Sequence, residues 1–543
     1  MIKKILNNKI INSSPIQTVA GAALVVSVAG IMSRVLGLFR DRILASKFGA
    51  GDTLDIYYAA FRIPDLIYNL LIVGALSAAF IPVFTGLITK KKEKEAWDLS
   101  SGLLTLQIIT VVALSAILSF FSPYLMKLVT PGFSDDKTAQ AAIFTRIMFL
   151  SPLLLGMSAI FGGILVSFKR FLVYSLAPIM YNIGIIIGAV FLVDLWGEIG
   201  LAWGVVLGAF LHMLLQLQAV KFAGFSFNFV SLKKIISNTH ILKVIKLMIP
   251  RSLAMGVTQI NLLVITIFAS TLASGSLSAF NFANNLQSVP LGLFGISFAL
   301  AAFPKLSSLA AEGDMEKFNH IFMRNFKRIL FFVIPASVII FSLRAEIVRA
   351  VLGAGEFDWE DTRITLWILG FLSLSLFAQS TIPLISRAFY ALENTKTPFY
   401  VALLSEAINI SAVIILINKF QVMGLAIAFS LASIVNMLVL FWLLDRYFKG
   451  VKKESAFESI LKITVSSLLA GLFIYLARHF MANFVELRTL GEVVAQLVIA
   501  GGTGLAAYLI ACHWLKVDEF YDFRKSILVR TLGKPGDMTE ESN

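Results

Sequence analysis

The sequence predicts an all-α polytopic membrane protein of about 14 transmembrane helices, each an apolar stretch of roughly 20 residues. Three observations predict it. Of 543 residues, 58% are hydrophobic and only 14% charged, with a mean hydropathy of +0.85, more apolar sequence than a soluble chain of this length needs. Apolar stretches recur from one end to the other. Lys and Arg fall in short runs between alternate stretches, the pattern of cytoplasmic loops. The net charge of +14 therefore points to a membrane, not to nucleic acid. The single cysteine, Cys512, excludes a disulfide framework and a cysteine metal site.

Taken in order, residues 1–17 are basic (Lys3, Lys4, Lys9) and lack an apolar core followed by a cleavage site. They read as a cytoplasmic or interfacial segment, not a signal peptide. Six spans follow over 18–221, centred near 30, 70, 112, 152, 183 and 209. Residues 222–247 mix apolar and basic residues and read as an amphipathic interfacial linker. Six more spans occupy 248–450, centred near 258, 292, 331, 374, 407 and 432. Two last spans, near 470 and 502, fill 451–516, and 517–543 is a polar tail.

The charges between spans set the orientation. Basic runs follow the second span (Lys90, Lys91, Lys92, Lys94), the fourth (Lys169, Arg170), the sixth (Lys233, Lys234, Lys243), the eighth (Lys305, Lys317, Arg324, Lys327, Arg328) and the twelfth (Arg446, Lys449, Lys452, Lys453). The alternate loops carry Asp135 and Asp136, then Asp194 and Glu198, then Glu356, Asp358, Glu360 and Asp361. Lys/Arg excess on one side places both termini in the cytoplasm.

An internal repeat relates the two halves. GALSAAFIP, ending at Pro82, resembles GISFALAAFP, ending at Pro304; Gly51 matches Gly275, Pro64 matches Pro290, and Pro178 matches Pro398, all at offsets of 220–226 residues. This is the mark of a parallel-repeat transporter with its site between two pseudo-symmetric six-helix lobes.

The stretch Ser33–Pro82 carries ionisable residues inside apolar helices. Such groups are costly in a bilayer and usually face a protein interior or a watery cavity. Ser33, Gly37 and Arg40 share one helical face, and Arg34 lies deeper; Arg40 could instead snorkel to the interface, and Arg34 could bond backbone carbonyls. Asp55, Tyr58 and Arg62 form a polar stripe on the next helix, where Arg62 could also pair with Asp65 or Asp55. Counted from the matching prolines, this stripe aligns with Asn281, Asn284, Asn285 and Ser288 in the second half. The reading is a cavity whose first lobe supplies charge and whose second supplies amides. Arg251, after Pro250, is either an interfacial anchor or a further cavity cation. Glu406 and Asn409, one turn apart in the eleventh span, suit a Na⁺ or H⁺ site or simple helix packing.

No HExxH, GxxxxGK[ST] or Ser/His/Asp arrangement is present. The chain is expected to be a transporter and not an enzyme, with no metal and no cofactor, coupled to Na⁺, H⁺ or the membrane potential.

SRVLGLFRD (Ser33–Asp41), the FGAG turn (Phe48–Gly51), Asp55, Phe61–Pro64, TPGF (Thr130–Phe133), IFAS (Ile267–Ser270) and TKTP (Thr395–Pro398) resemble the MurJ/MviN lipid II flippase family of the MOP exporter superfamily. The resemblance covers nearly the whole chain. It implies two six-helix lobes in a V shape and two C-terminal helices forming a groove for a polyprenyl tail. It further implies alternating access that moves undecaprenyl-diphosphate-linked lipid II to the outer leaflet of the bacterial inner membrane. The family's cavity residues carry over at Arg34, Arg40 and Asp55. A family arginine on the second helix is Tyr68 here, one on the eighth is Asn285, and an acidic residue of the second helix is Val73. Arg62 and Arg251 are the cations available to take their place. Arginine suits a diphosphate because its guanidinium binds phosphate oxygens through paired, charge-assisted hydrogen bonds.

The expected partners are lipid II, membrane lipids and the cell-wall synthesis machinery, with a monomer as the working unit. Three other readings stay open on sequence: a flippase for another polyprenyl-linked glycan, a multidrug-type antiporter using Glu406, and a non-transporting scaffold.

Overall fold

A computed structural model describes residues 19–448, 456–483 and 489–532, and no strand occurs among them. The helices in chain order are α1 (Val19–Phe48), α2 (Asp52–Ala60), α3 (Arg62–Tyr68), α4 (Gly74–Thr89), α5 (Glu93–Phe120), α6 (Ser122–Val129), α7 (Asp135–Met148), α8 (Leu150–Ser167), α9 (Phe171–Ile187), α10 (Val193–Trp196), α11 (Ile199–Phe222) and α12 (Leu232–Ser237). There follow α13 (Thr239–Ser270), α14 (Ser276–Pro290), α15 (Ser297–Glu312), α16 (Met315–Ser342), α17 (Arg344–Leu352), α18 (Trp359–Ser373), α19 (Leu376–Ala391), α20 (Lys396–Phe420), α21 (Val422–Asp445), α22 (Phe457–Met481), α23 (Leu490–Trp514) and α24 (Asp518–Leu532).

Ten helices among the described residues are long and apolar enough to cross a membrane, or eleven if α18 and α19, bent by 46°, form one span. Every span centre predicted from sequence falls within helical backbone except the tenth, near residue 374, which lies at the break between α18 and α19. Three joints are π-helical turns: Asn69–Val73 between α3 and α4, Gly188–Leu192 between α9 and α10, and Leu291–Ile296 between α14 and α15. The first and third occupy matching places in the sequence repeat. At the first, Asn69 donates to the Asp65 carbonyl twice, from its backbone N–H and, at 2.9 Å, from its side-chain Nδ2.

Contacts divide the chain into two compact units, residues 1–278 with 354–358 and residues 279–353 with 359–543. In the first, Phe80, Phe84, Phe161 and Ile164 centre the core. Its tightest seam lies between α11 and the run from α9 into the π turn. Gly200, Gly204 and Gly208 recur every fourth residue, and an added Cβ at Gly204 or Gly208 would strike the backbone at Gly188 or Tyr181. Small residues at this spacing let helix backbones touch, the main source of helix association where lipid supplies no hydrophobic drive. The seventh span, α13, packs along α4 inside this same unit.

In the second unit Phe318, Phe322, Leu330 and Phe389 centre the core. The last two spans, α22 and α23, pack on each other, and α22 also packs on α16. Asp314 caps α16 by accepting the Lys317 N–H at 3.0 Å and pairs with the Lys317 ammonium at 2.9 Å, which holds its carboxyl below the usual carboxylate range.

Candidate functional site

The face predicted from Ser33, Gly37 and Arg40 is read by one side chain, Asn182 of α9. Arg40 Nη1 donates to Asn182 Oδ1 at 3.1 Å. Asn182 Nδ2 donates to the Ser33 carbonyl at 3.4 Å and to the Pro178 carbonyl at 3.1 Å. Gly37 leaves room for this: a Cβ there would lie 3.9 Å from Asn182 Oδ1. On its other side Arg40 donates to Asp41 Oδ1 from Nε at 3.0 Å and from Nη2 at 2.7 Å. Asp41 is 2% exposed, while the Arg40 side chain keeps 20%. The guanidinium is thus held by a carboxylate and an amide while part of it stays accessible. Arg40 is not a snorkelling residue, since two buried partners fix its head. Arg34 is half-buried on the same helix.

Tyr57 and Tyr58 of α2 are buried within electrostatic range of Arg40. The run predicted through Asp55, Tyr58 and Arg62 is divided into α2 and α3 at Phe61, but Phe61 keeps helical dihedrals (φ −69°, ψ −27°) and its carbonyl accepts the Asp65 N–H at 2.8 Å, so the stripe stays on helical backbone. Arg62 is 7% exposed and Nε donates to Thr266 Oγ1 of α13 at 2.6 Å. Its carboxylate neighbour is Asp65, within electrostatic range. Sequence suggested Asp65 or Asp55 as the partner; the bond found is to a hydroxyl on the seventh span.

Asp55 has a different engagement. Oδ2 accepts the Gly275 N–H and Oδ1 the Ser278 N–H, both at 2.8 Å. These are amides at the start of α14, where a helix presents unpaired donors and the positive end of its dipole. Next to it, Asp52 accepts from Ser274 Oγ and pairs with Lys137 at 2.5 Å. Gly275 has φ +86°, and a Cβ there would meet the Ala50 carbonyl, so the turn requires glycine.

In the second unit Asn281, Asn284, Asn285 and Ser288 are each half-buried, whereas Phe282, Ala283 and Leu286 between them are buried. The stripe is real, and it continues inward. Gln287 Nε2 donates to Asn284 Oδ1 at 3.0 Å, Gln287 and Gln379 of α19 face each other at 3.4 Å, and Gln379 reaches Ser375 Oγ at 2.9 Å. Ser375 sits at the α18–α19 break and donates to Ser430 Oγ at 2.9 Å. Glu406 and Asn409 are both buried, with Asn409 Nδ2 3.5 Å from Glu406 Oε1. The side chains of Arg251 and Val73 lie outside the described residues. Tyr68 packs against the apolar core of the first unit.

Residues not singled out on sequence are Asp41, Asn182, Thr266 and Gln379. Asn182 and Gln379 carried a signal, each a lone amide within an apolar helix. Thr266 carried none.

The family model described as "Lipid II flippase MurJ" matches residues 44–494. The probable lipid II flippase MurJ of Buchnera aphidicola subsp. Acyrthosiphon pisum is 30% identical over 462 residues, covering 84% of this chain and 90% of the relative. That of Bdellovibrio bacteriovorus is 30% identical over 506 residues, covering 91% and 95%. A solved structure of lipid II flippase MurJ in an inward closed conformation matches with TM-score 0.75 at 29% identity, over 94% of this chain and all of that one. An inward-facing multidrug resistance MATE family transporter of the MOP superfamily shares the fold, with TM-score 0.65 at 16% identity over 80% of this chain.

Proposed function

Since the chain belongs to the lipid II flippase MurJ family, we propose that it moves lipid II from the cytoplasmic to the outer leaflet by alternating access, with Arg40 as the central contact for the diphosphate. The observation that carries the site assignment is Arg40 itself, a guanidinium fixed by Asp41 and Asn182 with a fifth of its side chain open. Arginine offers five donors in a fixed fork. Its held orientation leaves donors for an anion without the entropy loss of ordering a free side chain. Arg34 on the same helix adds a second cation. Arg62, tied to Thr266, serves as an electrostatic neighbour. The half-buried amides of Asn281, Asn284 and Asn285 supply both donors and acceptors, which suits sugar and peptide.

Asp55 is read as a cap that holds α2 against the start of α14. A helix terminus bonded to one carboxylate can be released as a unit, as alternating access requires. The multi-pass fold and the one-sided Lys/Arg distribution support a bacterial inner-membrane location with both termini in the cytoplasm. Glu406 with Asn409 is the proposed site of ion coupling, and the working unit is proposed to be a monomer.

The test is complementation in bacteria depleted of their own lipid II flippase, comparing the parent with Arg40→Ala at matched membrane levels. Growth restored by the parent and not by the variant is the expected result. Rescue by both would remove Arg40 from the site while keeping the function. Failure of a well-expressed parent would overturn the substrate and return the polyprenyl-linked glycan and antiporter readings.

A further inference from the structure

We propose that Asp65 is the contact for a cation on the transported substrate, the primary ammonium of a diamino residue in its stem peptide. The proposal rests on lipid II being the substrate, and it adds to Arg40 a recognition element of the opposite sign.

Asp65 stands on α3, near the centre of the second span, where an ionisable group is costly and by default marks a substrate or ion path. Its carboxylate is unclaimed by the protein. Arg62, one turn earlier, lies within electrostatic range but gives its Nε–H to Thr266 Oγ1. The Asp65 side chain makes no hydrogen bond or ion pair with any described residue. Nor is it sealed off. Asp65 is half-buried, and neither of its oxygens is among the buried side-chain atoms that lack a partner, so both are accessible to a ligand.

Three tyrosines supply the independent observation. Tyr57 of α2, Tyr68 of α3 and Tyr181 of α9 each lie within electrostatic range of Asp65. None of their hydroxyls bonds to a described residue, and none is sealed from solvent. An ammonium carries three N–H donors and no acceptor. This neighbourhood offers it a carboxylate, open phenol oxygens and aromatic faces, which attract cations. A metal ion is served less well, since among the described residues no three His, Cys, Asp or Glu side chains are placed to hold one.

The same tyrosines connect this contact to the anion contact. Tyr57 and Tyr181 are within electrostatic range of Arg40 as well as of Asp65, so both groups belong to one neighbourhood of the first unit. Asp65 repels a ligand that carries phosphates alone. A ligand with a phosphate and an ammonium on one molecule meets both, and lipid II with a diamino residue in its stem peptide is such a molecule.

The test uses the full-length protein in detergent, read by native mass spectrometry. The probe is an equimolar mixture of lysine-type lipid II and its Nε-acetyl and Nε,Nε-dimethyl derivatives. Acetylation removes the charge; dimethylation keeps the charge and one N–H while adding similar bulk. Adducts of the unmodified and dimethyl forms are expected to exceed the acetyl form by about tenfold, the factor for one charge-assisted hydrogen bond. Asp65→Asn, which keeps the size and removes the charge, is expected to bring that ratio near one. Tyr181→Phe, which loses one hydroxyl, is expected to lower it and decides where Asp65→Asn fails to fold. Equal binding of all three forms would overturn the assignment of Asp65 and leave lipid II as the substrate, whereas binding of none would overturn both. Exclusion of both derivatives alike would mark a steric limit and sink the charge contact, as would a ratio unchanged in the two variants. Dioleoyl phosphatidylethanolamine, added in excess, is expected not to compete; competition that Asp65→Asn abolishes would make the ammonium a membrane lipid's and overturn the proposal.

Discussion

Asp55 Oδ1 accepts the Ser278 N–H at 2.8 Å across 223 residues of chain, while its other oxygen takes the Gly275 N–H. One buried carboxylate thus satisfies two amides at the start of α14. Hydrogen bonds to a charged group contribute about 1.5–3 kcal/mol each. Asp55→Asn keeps one acceptor and turns an NH₂ toward a backbone N–H, so it is expected to lower the unfolding temperature and lipid II export together. Gly275→Ala should do the same by a different route, since φ +86° disfavours any side chain and the new Cβ would meet Ala50. Unaltered melting of both variants in detergent would discard the capping role.

That cap shows where sequence reading stops. Asp55 was visible as a carboxylate in an apolar context, but its partners are backbone amides, which no residue type announces. Asp41 was overlooked for a geometric reason. Adjacent helical residues do not normally face each other, yet the long arginine stem lets Arg40 fold back onto its neighbour's carboxylate. The face of Ser33, Gly37 and Arg40 was legible because helical spacing alone defines it; that Asn182 covers it depends on the α1–α9 crossing. The repeat foresaw matching stripes but not the π turns at Asn69–Val73 and Leu291–Ile296, because nothing in composition marks an i→i+5 bond. The break after Ser373 was hidden inside an apolar run.

Arg40 and Asp41 make a pair whose removal tests two things at once. Arg40→Ala leaves the nearly buried Asp41 carboxylate without its cation, and breaking a buried pair this way costs about 3–5 kcal/mol, less here because Arg40 is partly exposed. A failed complementation by the single variant would therefore mix misfolding with loss of the anion contact. Arg40→Ala with Asp41→Ala removes the stranded charge. The double variant is expected to recover membrane levels and melting temperature but not export. Recovery of export as well would show that Arg40 serves only to neutralise Asp41.

The glycine seam between α9 and α11 makes a stability prediction independent of substrate. At Gly204 an added side chain would press into the backbone of Gly188, so the helices must separate. Overpacking of this kind costs about 1–3 kcal/mol or more. Gly204→Leu is expected to lower membrane accumulation and thermal stability, whereas Gly502→Leu on α23, where a Cβ meets nothing within 4 Å, is expected to be silent. Equal behaviour of the two would mean that the seam does not hold α9 to α11.

Glu406 and Asn409 decide whether an ion gradient enters the cycle through the second unit. Glu406 is 8% and Asn409 1% exposed, and Asn409 Oδ1 makes no hydrogen bond within the protein. A carboxylate and a spare amide oxygen one turn apart provide two of the several oxygen ligands a hard cation requires. A cation that binds the folded protein stabilises it by mass action, by about 2.7 kcal/mol at a hundred times its Kd. Sodium chloride is therefore expected to raise the melting temperature above that in equimolar potassium chloride, which controls for ionic strength. Glu406→Gln keeps the size and removes the charge, so the sodium-specific rise should vanish while stability in potassium holds. A parent indifferent to sodium, or a variant that keeps the full rise, would leave Glu406 as a packing carboxylate and move the coupling elsewhere.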